Sequence, residues 1–311
     1  MPSVPSSTRS STSAEQGDIE AMQSSSVRQT IVGIGREIGP SAIEAVLSLF
    51  DQEQHELAEA VPVTAADLAY GPHERHRLDI YAPATRDAAV PVLIWVHGGG
   101  FMRGDKGGNG RWTDANAGRM AAAAGFLGVV ITYRLAPDFG WPAGAEDVAA
   151  VVDWVRKHAS TWGGDPKRIV VAGTSAGAVH VAGYLKLRPH HADEVRAAIM
   201  LSGLYGFTPL SDVRDQSYYG EDASLHPARI PAEAVLSTDL PLFLAAAEFD
   251  PPRFQAEFAS LLHHRLDRHG ILPRSYIASG HNHYSLPYHL GTSDTRLQDE
   301  IIAFVTDVCG K

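Results

Sequence analysis

The stretch at residues 167–183, KRIVVAGTSAGAVHVAG, restricts the fold of this chain more than any other. Its first half, Ile169-Val170-Val171-Ala172, is short, apolar and β-branched, the composition of a strand buried on both faces of a parallel sheet. It breaks at once into Gly173-Thr174-Ser175-Ala176-Gly177, and residues 176–187 are small and tolerate helix. A Gly-x-Ser-x-Gly turn between strand and helix holds its serine in a strained conformation, while the flanking glycines let neighbouring backbone approach without Cβ clashes. The Ser175 hydroxyl is therefore expected to stand exposed at the carboxyl edge of a sheet.

The rest of the chain supplies that sheet. Residues 61–70 and 77–81 read as two edge strands, antiparallel because the connection holding Gly71-Pro72 is too short for a crossover helix. Residues 91–96 (PVLIWV) form a central strand that ends in His97-Gly98-Gly99-Gly100-Phe101, and a glycine run in that place lets several backbone N–H groups converge on one locus. Helix is expected over 110–125 and 145–162, the second stopped by Gly163-Gly164-Asp165-Pro166, with a buried strand at 126–133 between them. Further strands fall at 195–202, 240–247 and 271–278, with helices at 255–270 and 292–308. This alternation is the signature of a mostly parallel sheet covered on both faces, whose ligand sites lie outside the carboxyl ends of the strands. Residues 203–239 are aromatic and without strong periodicity, a candidate lid or pocket wall.

Composition bounds the partners. Residues 1–26 are rich in Ser, Thr and Pro and are expected to be mobile, leaving 27–311 as a single domain in which 27–60 is an amphipathic helical preface with Ser41 as N-cap of its second helix. A net charge of −10, with 26 basic residues in no long run, argues against nucleic acid or an anionic membrane as partner. The one cysteine, Cys309, can form neither an intrachain disulfide nor a cysteine-based metal cluster. No segment offers about 18 uninterrupted apolar residues, so the default expectation is a soluble cytoplasmic protein without membrane anchor. A homodimer is compatible with the sequence and is not required by it.

Three polar residues follow core strands in the order Ser175, Asp250, His283. Serine is a poor nucleophile at neutral pH; it needs an imidazole to take its proton, and the imidazole needs a carboxylate to fix its tautomer and stabilise its charged form. The glycine-loop amides and the N–H of Ala176 would bind a developing oxyanion.

Over residues 62–308 the chain resembles the hormone-sensitive-lipase-like family of α/β-hydrolase carboxylesterases. The matching stretches are His97-Gly98-Gly99-Gly100-Phe101, Tyr133-Arg134-Leu135-Ala136-Pro137 with Trp141-Pro142-Ala143, Gly163-Gly164-Asp165-Pro166, Gly173-Thr174-Ser175-Ala176-Gly177 and Asp250-Pro251. The resemblance implies an α/β-hydrolase fold, a helical cap built from the amino-terminal residues and the 203–239 insertion, and hydrolysis of small carboxylic esters with no cofactor and no metal. It implies Ser175 as nucleophile, Asp250 as orienting acid and Gly99, Gly100 and Ala176 as oxyanion donors. Two departures stand out: Pro252 and Phe254 occupy positions where members carry Leu and a second Asp, and His283-Tyr284-Ser285 replaces the usual His-Gly-Phe.

Alternatives remain at this level. The spacing from Gly280 selects His283 over His281, and Asp250 is favoured over Glu248, which lies closer to the strand body. An H-x-H metal site at His281 and His283 lacks accompanying ligands at recognisable spacing. His180 reads as helix packing, and His190-His191 and His263-His264 as solvated helix ends. An amidase or arylformamidase would use the same parts, and a non-catalytic binding protein could share the fold.

Overall fold

The computed structural model describes residues 24–85, 88–107 and 111–310. Residues 1–23 of the segment expected to be mobile lie outside them, and Ser24 begins a helix: its hydroxyl accepts the Val27 N–H at 3.3 Å. The chain then runs α1 (Ser25–Ile34), α2 (Pro40–Ala60), β1 (Ala65–Ala69), β2 (Arg77–Tyr81), β3 (Val90–Val96), α3 (Ala115–Ala123) and β4 (Leu127–Ile131). It continues through α4 (Ala143–His158), β5 (Gly164–Thr174), α5 (Ala176–Leu187), β6 (Ala197–Leu201), α6 (Val213–Tyr219), α7 (His226–Arg229) and α8 (Ala232–Ser237). The last elements are β7 (Leu242–Phe249), α9 (Pro252–His269), β8 (Arg274–Asn282), α10 (Ser285–Tyr288) and α11 (Arg296–Cys309).

The strands form one eight-stranded sheet in the order β1-β2-β4-β3-β5-β6-β7-β8. β2 is antiparallel to both β1 and β4, and every pairing from β4 to β8 is parallel. The edges are thus β1 and β8, and β2 lies inside the sheet. Alternation along β3 divides the core: Val92, Ile94 and Val96 pack with Val148, Val152 and Val181 of α4 and α5, while Leu93 and Trp95 face Met120, Ile301 and Phe304 of α3 and α11. Both faces are covered because a parallel strand of this kind has no polar side to give to water. The arrangement is the α/β-hydrolase fold. Among the described residues no helix is long and apolar enough to cross a membrane.

Four local expectations are revised. Ser41 sits inside α2, whose start is set by Pro40 at the first helical position, where a missing N–H costs nothing. The 203–239 insertion holds three short α-helices joined by irregular chain, and α6 to α8 have only seven, four and six residues, too few to display a 3.6-residue period. β8 runs on to Asn282, beyond the expected end at 278, because the Glu248 carboxylate accepts the Gly280 N–H at 2.6 Å and the Ser279 hydroxyl at 3.0 Å, and Phe249 pairs with Asn282 past a register shift. His191 is half-buried and hydrogen-bonded to the Thr238 hydroxyl at 2.7 Å, and His263-His264 lie exposed inside α9 well before its end.

Candidate active site

Ser175 is placed by close packing of three elements. Its backbone has φ 53° and ψ −120°, outside the regions a side chain favours, and its N–H donates to Leu201 O of β6 at 2.8 Å. A Cβ at Gly177 would come within 2.1 Å of Val96 O, so only glycine lets α5 start this close to the end of β3. At Gly99 the same need arises twice: φ is +122°, and a Cβ would sit 1.9 Å from Arg103 O. The glycine loop therefore curls tightly against residues 103–104 beside the serine. Ala176, first residue of α5, has an N–H with no acceptor inside the helix.

Aromatic packing holds this loop. His97 stacks on Tyr133 with ring centroids 4.2 Å apart, and the Tyr133 hydroxyl donates to His97 O at 3.0 Å. Phe101 stacks on Tyr218 of α6 at 4.3 Å, and His180 of α5, hydrogen-bonded to the Tyr218 hydroxyl at 3.1 Å, packs edge-on against Tyr133. Tyr133 and Arg134 are fixed from below, since the buried Asp147 accepts the Arg134 N–H at 2.7 Å and its Nε–H at 2.8 Å.

The three expected polar residues meet. Ser175 Oγ lies 3.0 Å from His283 Nε2, and His283 Nδ1 lies 2.8 Å from Asp250 Oδ1. Asp250 is fully buried, and its second oxygen accepts the Ser202 hydroxyl at 2.5 Å and the Ala247 N–H at 2.7 Å. The Phe254 ring packs at 4.3 Å against the His283 ring, in place of a second carboxylate. The departures from the family pattern therefore leave the acid-to-imidazole contact in place. Glu248 is engaged with Gly280 and Ser279 and does not reach His283. His281 turns the other way, with Nε2 on Asp294 and Nδ1 on Ser285, so it shares no partner with His283 and the two do not form an H-x-H ligand pair.

A cleft of about 320 Å³, counted with its open mouth, lies over Ser175. Gly100, Phe101, Ala176, Val179, Leu204 and Phe254 line one part of it, and the ion pairs Asp212–Arg214 and Asp215–Arg253 another. The wall at 204–208 hangs from Glu257 of α9, fully buried, which accepts the N–H groups of Tyr205, Gly206 and Thr208 at 2.7, 3.1 and 2.7 Å and the Thr208 hydroxyl at 2.6 Å. On the other side of the His283 turn, α1 and α2 contribute Ile31, Val46 and Phe50 to a cluster with Trp112, against which Tyr284 and Tyr288 pack. Sequence reasoning did not single out Ser202 or Glu257. A serine closing the apolar run AAIMLS was the available signal for the first, and nothing marks Glu257 among the charged residues of α9.

Burial pushes the pKa of His97, His180 and His289 down to about 3 from 6.5. The unfolded chain then binds more protons than the folded one below pH 6.5, so stability should fall as the pH drops from there towards 3. Each group contributes at most about 1.4 kcal/mol per pH unit within that window. Thermal unfolding followed from pH 7.5 to 5 should show a falling Tm, and a flat profile would mean that these imidazoles are not held neutral by the fold.

Comparisons with known proteins give the chain's relatives and its fold. The BD-FAE family model matches residues 78–199, from β2 through the serine elbow to β6. The chain is similar to the probable carboxylic ester hydrolase LipM of Mycobacterium tuberculosis, 32% identical over 178 residues that make up 53% of this chain and 38% of that protein. It is also similar to the esterase LipQ of the same organism, 32% identical over 60% of this chain and 49% of the relative. The chain thus spans less than half the length of these curated relatives. Among solved structures it resembles a hyperthermophilic esterase from Pyrobaculum calidifontis, with a TM-score of 0.68 and 22% identity over 91% of this chain and 98% of that one. Esterase LipW from Mycobacterium marinum superposes with a TM-score of 0.66 at 23% identity, covering 88% and 91%.

Proposed function

We propose that this α/β-hydrolase, a relative of the hormone-sensitive-lipase-like carboxylesterases, is a serine carboxylesterase acting on small esters. One observation carries the reading: Ser175 Oγ, His283 and Asp250 form a continuous relay with contacts of 3.0 and 2.8 Å. Ser175 Oγ attacks the ester carbonyl carbon while its proton passes to His283 Nε2. Asp250 Oδ1 accepts the Nδ1–H, fixing the tautomer and stabilising the imidazolium. The carbonyl oxygen becomes an oxyanion received by the amides of Gly99, Gly100 and Ala176. Collapse breaks the ester C–O bond, and the alcohol leaves with the proton from Nε2. Water, deprotonated by the same imidazole, then frees the acid and restores Ser175.

The helices α1 and α2 and the 203–239 insertion flank the His283 turn and the cleft, which supports their reading as a cap. A single cysteine supports a reducing compartment, and we place the protein in the cytoplasm. The test is covalent labelling with a fluorophosphonate together with rates on matched ester and amide pairs. Labelling of Ser175 with faster ester than amide turnover is expected. An enzyme that cleaves the amide partner faster would move the reading to an amidase, and absence of labelling would remove the serine mechanism.

A further inference from the structure

We propose that His281 is a positioning residue for the His283 base and acts through Ser285; the inference rests on the reading of Ser175 and His283 as nucleophile and base. The turn that carries His283 is closed by its own side chains. The Asn282 N–H donates to Ser285 Oγ at 2.8 Å, and Asn282 Oδ1 accepts the N–H groups of Tyr284 at 3.2 Å and Ser285 at 3.0 Å. The backbone on both sides of His283 is thus fixed by Asn282 and Ser285, both nearly inaccessible to solvent.

What orients Ser285 lies one layer deeper. Its hydroxyl oxygen is 3.1 Å from His281 Nδ1, and His281 Nε2 is 3.0 Å from Asp294 Oδ2. Asp294 is clamped by Arg296, whose Nε–H and Nη2–H reach its two oxygens at 2.7 and 2.6 Å. Burial alone would raise the Asp294 pKa, but the bonds from Arg296 and His281 more than offset it and hold the carboxylate ionised. An ionised acceptor fixes the proton of a neutral His281 on Nε2, which leaves Nδ1 as a lone pair. Nδ1 then accepts the Ser285 O–H, and the Ser285 oxygen is free to accept the Asn282 N–H. The Ser285 O–H also has Asn282 O within reach at 3.4 Å, a longer contact than the 3.1 Å to His281 Nδ1. His289 adds a second hold, stacking on the His281 ring at 3.9 Å while its Nδ1–H donates to Ser285 O at 2.7 Å.

Arg296 supplies the positive charge that Asp294 needs, and both ring nitrogens of His281 are bonded within the chain, while the buried His289 Nε2 has no hydrogen-bond partner among the described residues. The consequence is geometric: the imidazole two residues on from His281 is aimed by a network that never touches substrate. Loss of the link between His281 and Ser285 should let the turn relax by a fraction of an ångström, enough to cost about tenfold in kcat.

The variants exploit which ring nitrogen each amide replaces. In H281Q the amide reaches the place of Nε2 and keeps Asp294 but loses Ser285; in H281N it takes the place of Nδ1 and keeps Ser285. H281Q and S285A should each lower kcat about tenfold with KM within about twofold of wild type and phosphonylation of Ser175 slowed in proportion, while H281N recovers most of the lost rate. Active-site titration normalises every rate. Full turnover per titrated site in H281Q and S285A would overturn the proposal by showing a structural role only. H281N as impaired as H281Q would overturn the route through Ser285. His283→Ala is measured alongside: if it keeps wild-type turnover, the assignment of the base is at fault, a result separable from the other two.

Discussion

Ser175→Ala is expected to lower kcat on the order of 10³-fold or more while leaving a folded protein. The substitution removes one oxygen, and the hydrogen bond it deletes is the contact to His283 Nε2. Alanine meets the same unfavourable backbone angles as serine, so the elbow gains no new strain. Glycine-loop amides and the Ala176 N–H would remain to polarise a bound carbonyl, which accounts for a residual rate above that of water. The measurement is steady-state hydrolysis of an activated aryl ester by purified mutant, with Tm recorded in parallel. A mutant that keeps a tenth of wild-type turnover removes the serine mechanism.

The second large effect assigns the base. His283→Ala should also cost on the order of 10³-fold or more in kcat, because the Ser175 proton loses its acceptor and the fully buried Asp250 loses the imidazole that it orients. His281→Ala should cost far less, about tenfold, since His281 faces Asp294 and Ser285 and reaches Ser175 only through the turn. The reverse result, with His281→Ala inactive and His283→Ala active, would transfer the base to His281.

These two histidines also show how far the sequence reaches. A count from Gly280 selects His283, and His283 Nε2 lies 3.0 Å from Ser175 Oγ. The count rests on a loop at 279–284, whereas residues 279–282 belong to β8, because the bond from Gly280 to Glu248 joins positions 32 residues apart. Strands at 91–96 and 169–172 were legible because burial on both faces leaves an unbroken apolar run. The short helices at 213–237 were not, since each makes two turns or fewer and is stabilised by what it packs on. Tyr218 illustrates this, its place set by stacking on Phe101 from a different part of the chain. Ser202 escaped notice for a related reason: its role depends on Asp250, 48 residues away.

The four hydrogen bonds that gather residues 205–208 on Glu257 bear on how such a scaffold can be remodelled. The cleft wall and α9 form one heritable module, although they are separated in the chain by a strand of the sheet. Exchanging the 203–239 segment alone for one whose backbone takes another path at 205–208 would take the three main-chain donors from a buried carboxylate, a defect that costs more than any single contact. Recombination that carries 203–269 as one block avoids it. New substrate pockets on this framework are therefore best sought by swapping the block, or by varying residues such as Leu204 that line the cleft without taking part in the Glu257 anchor.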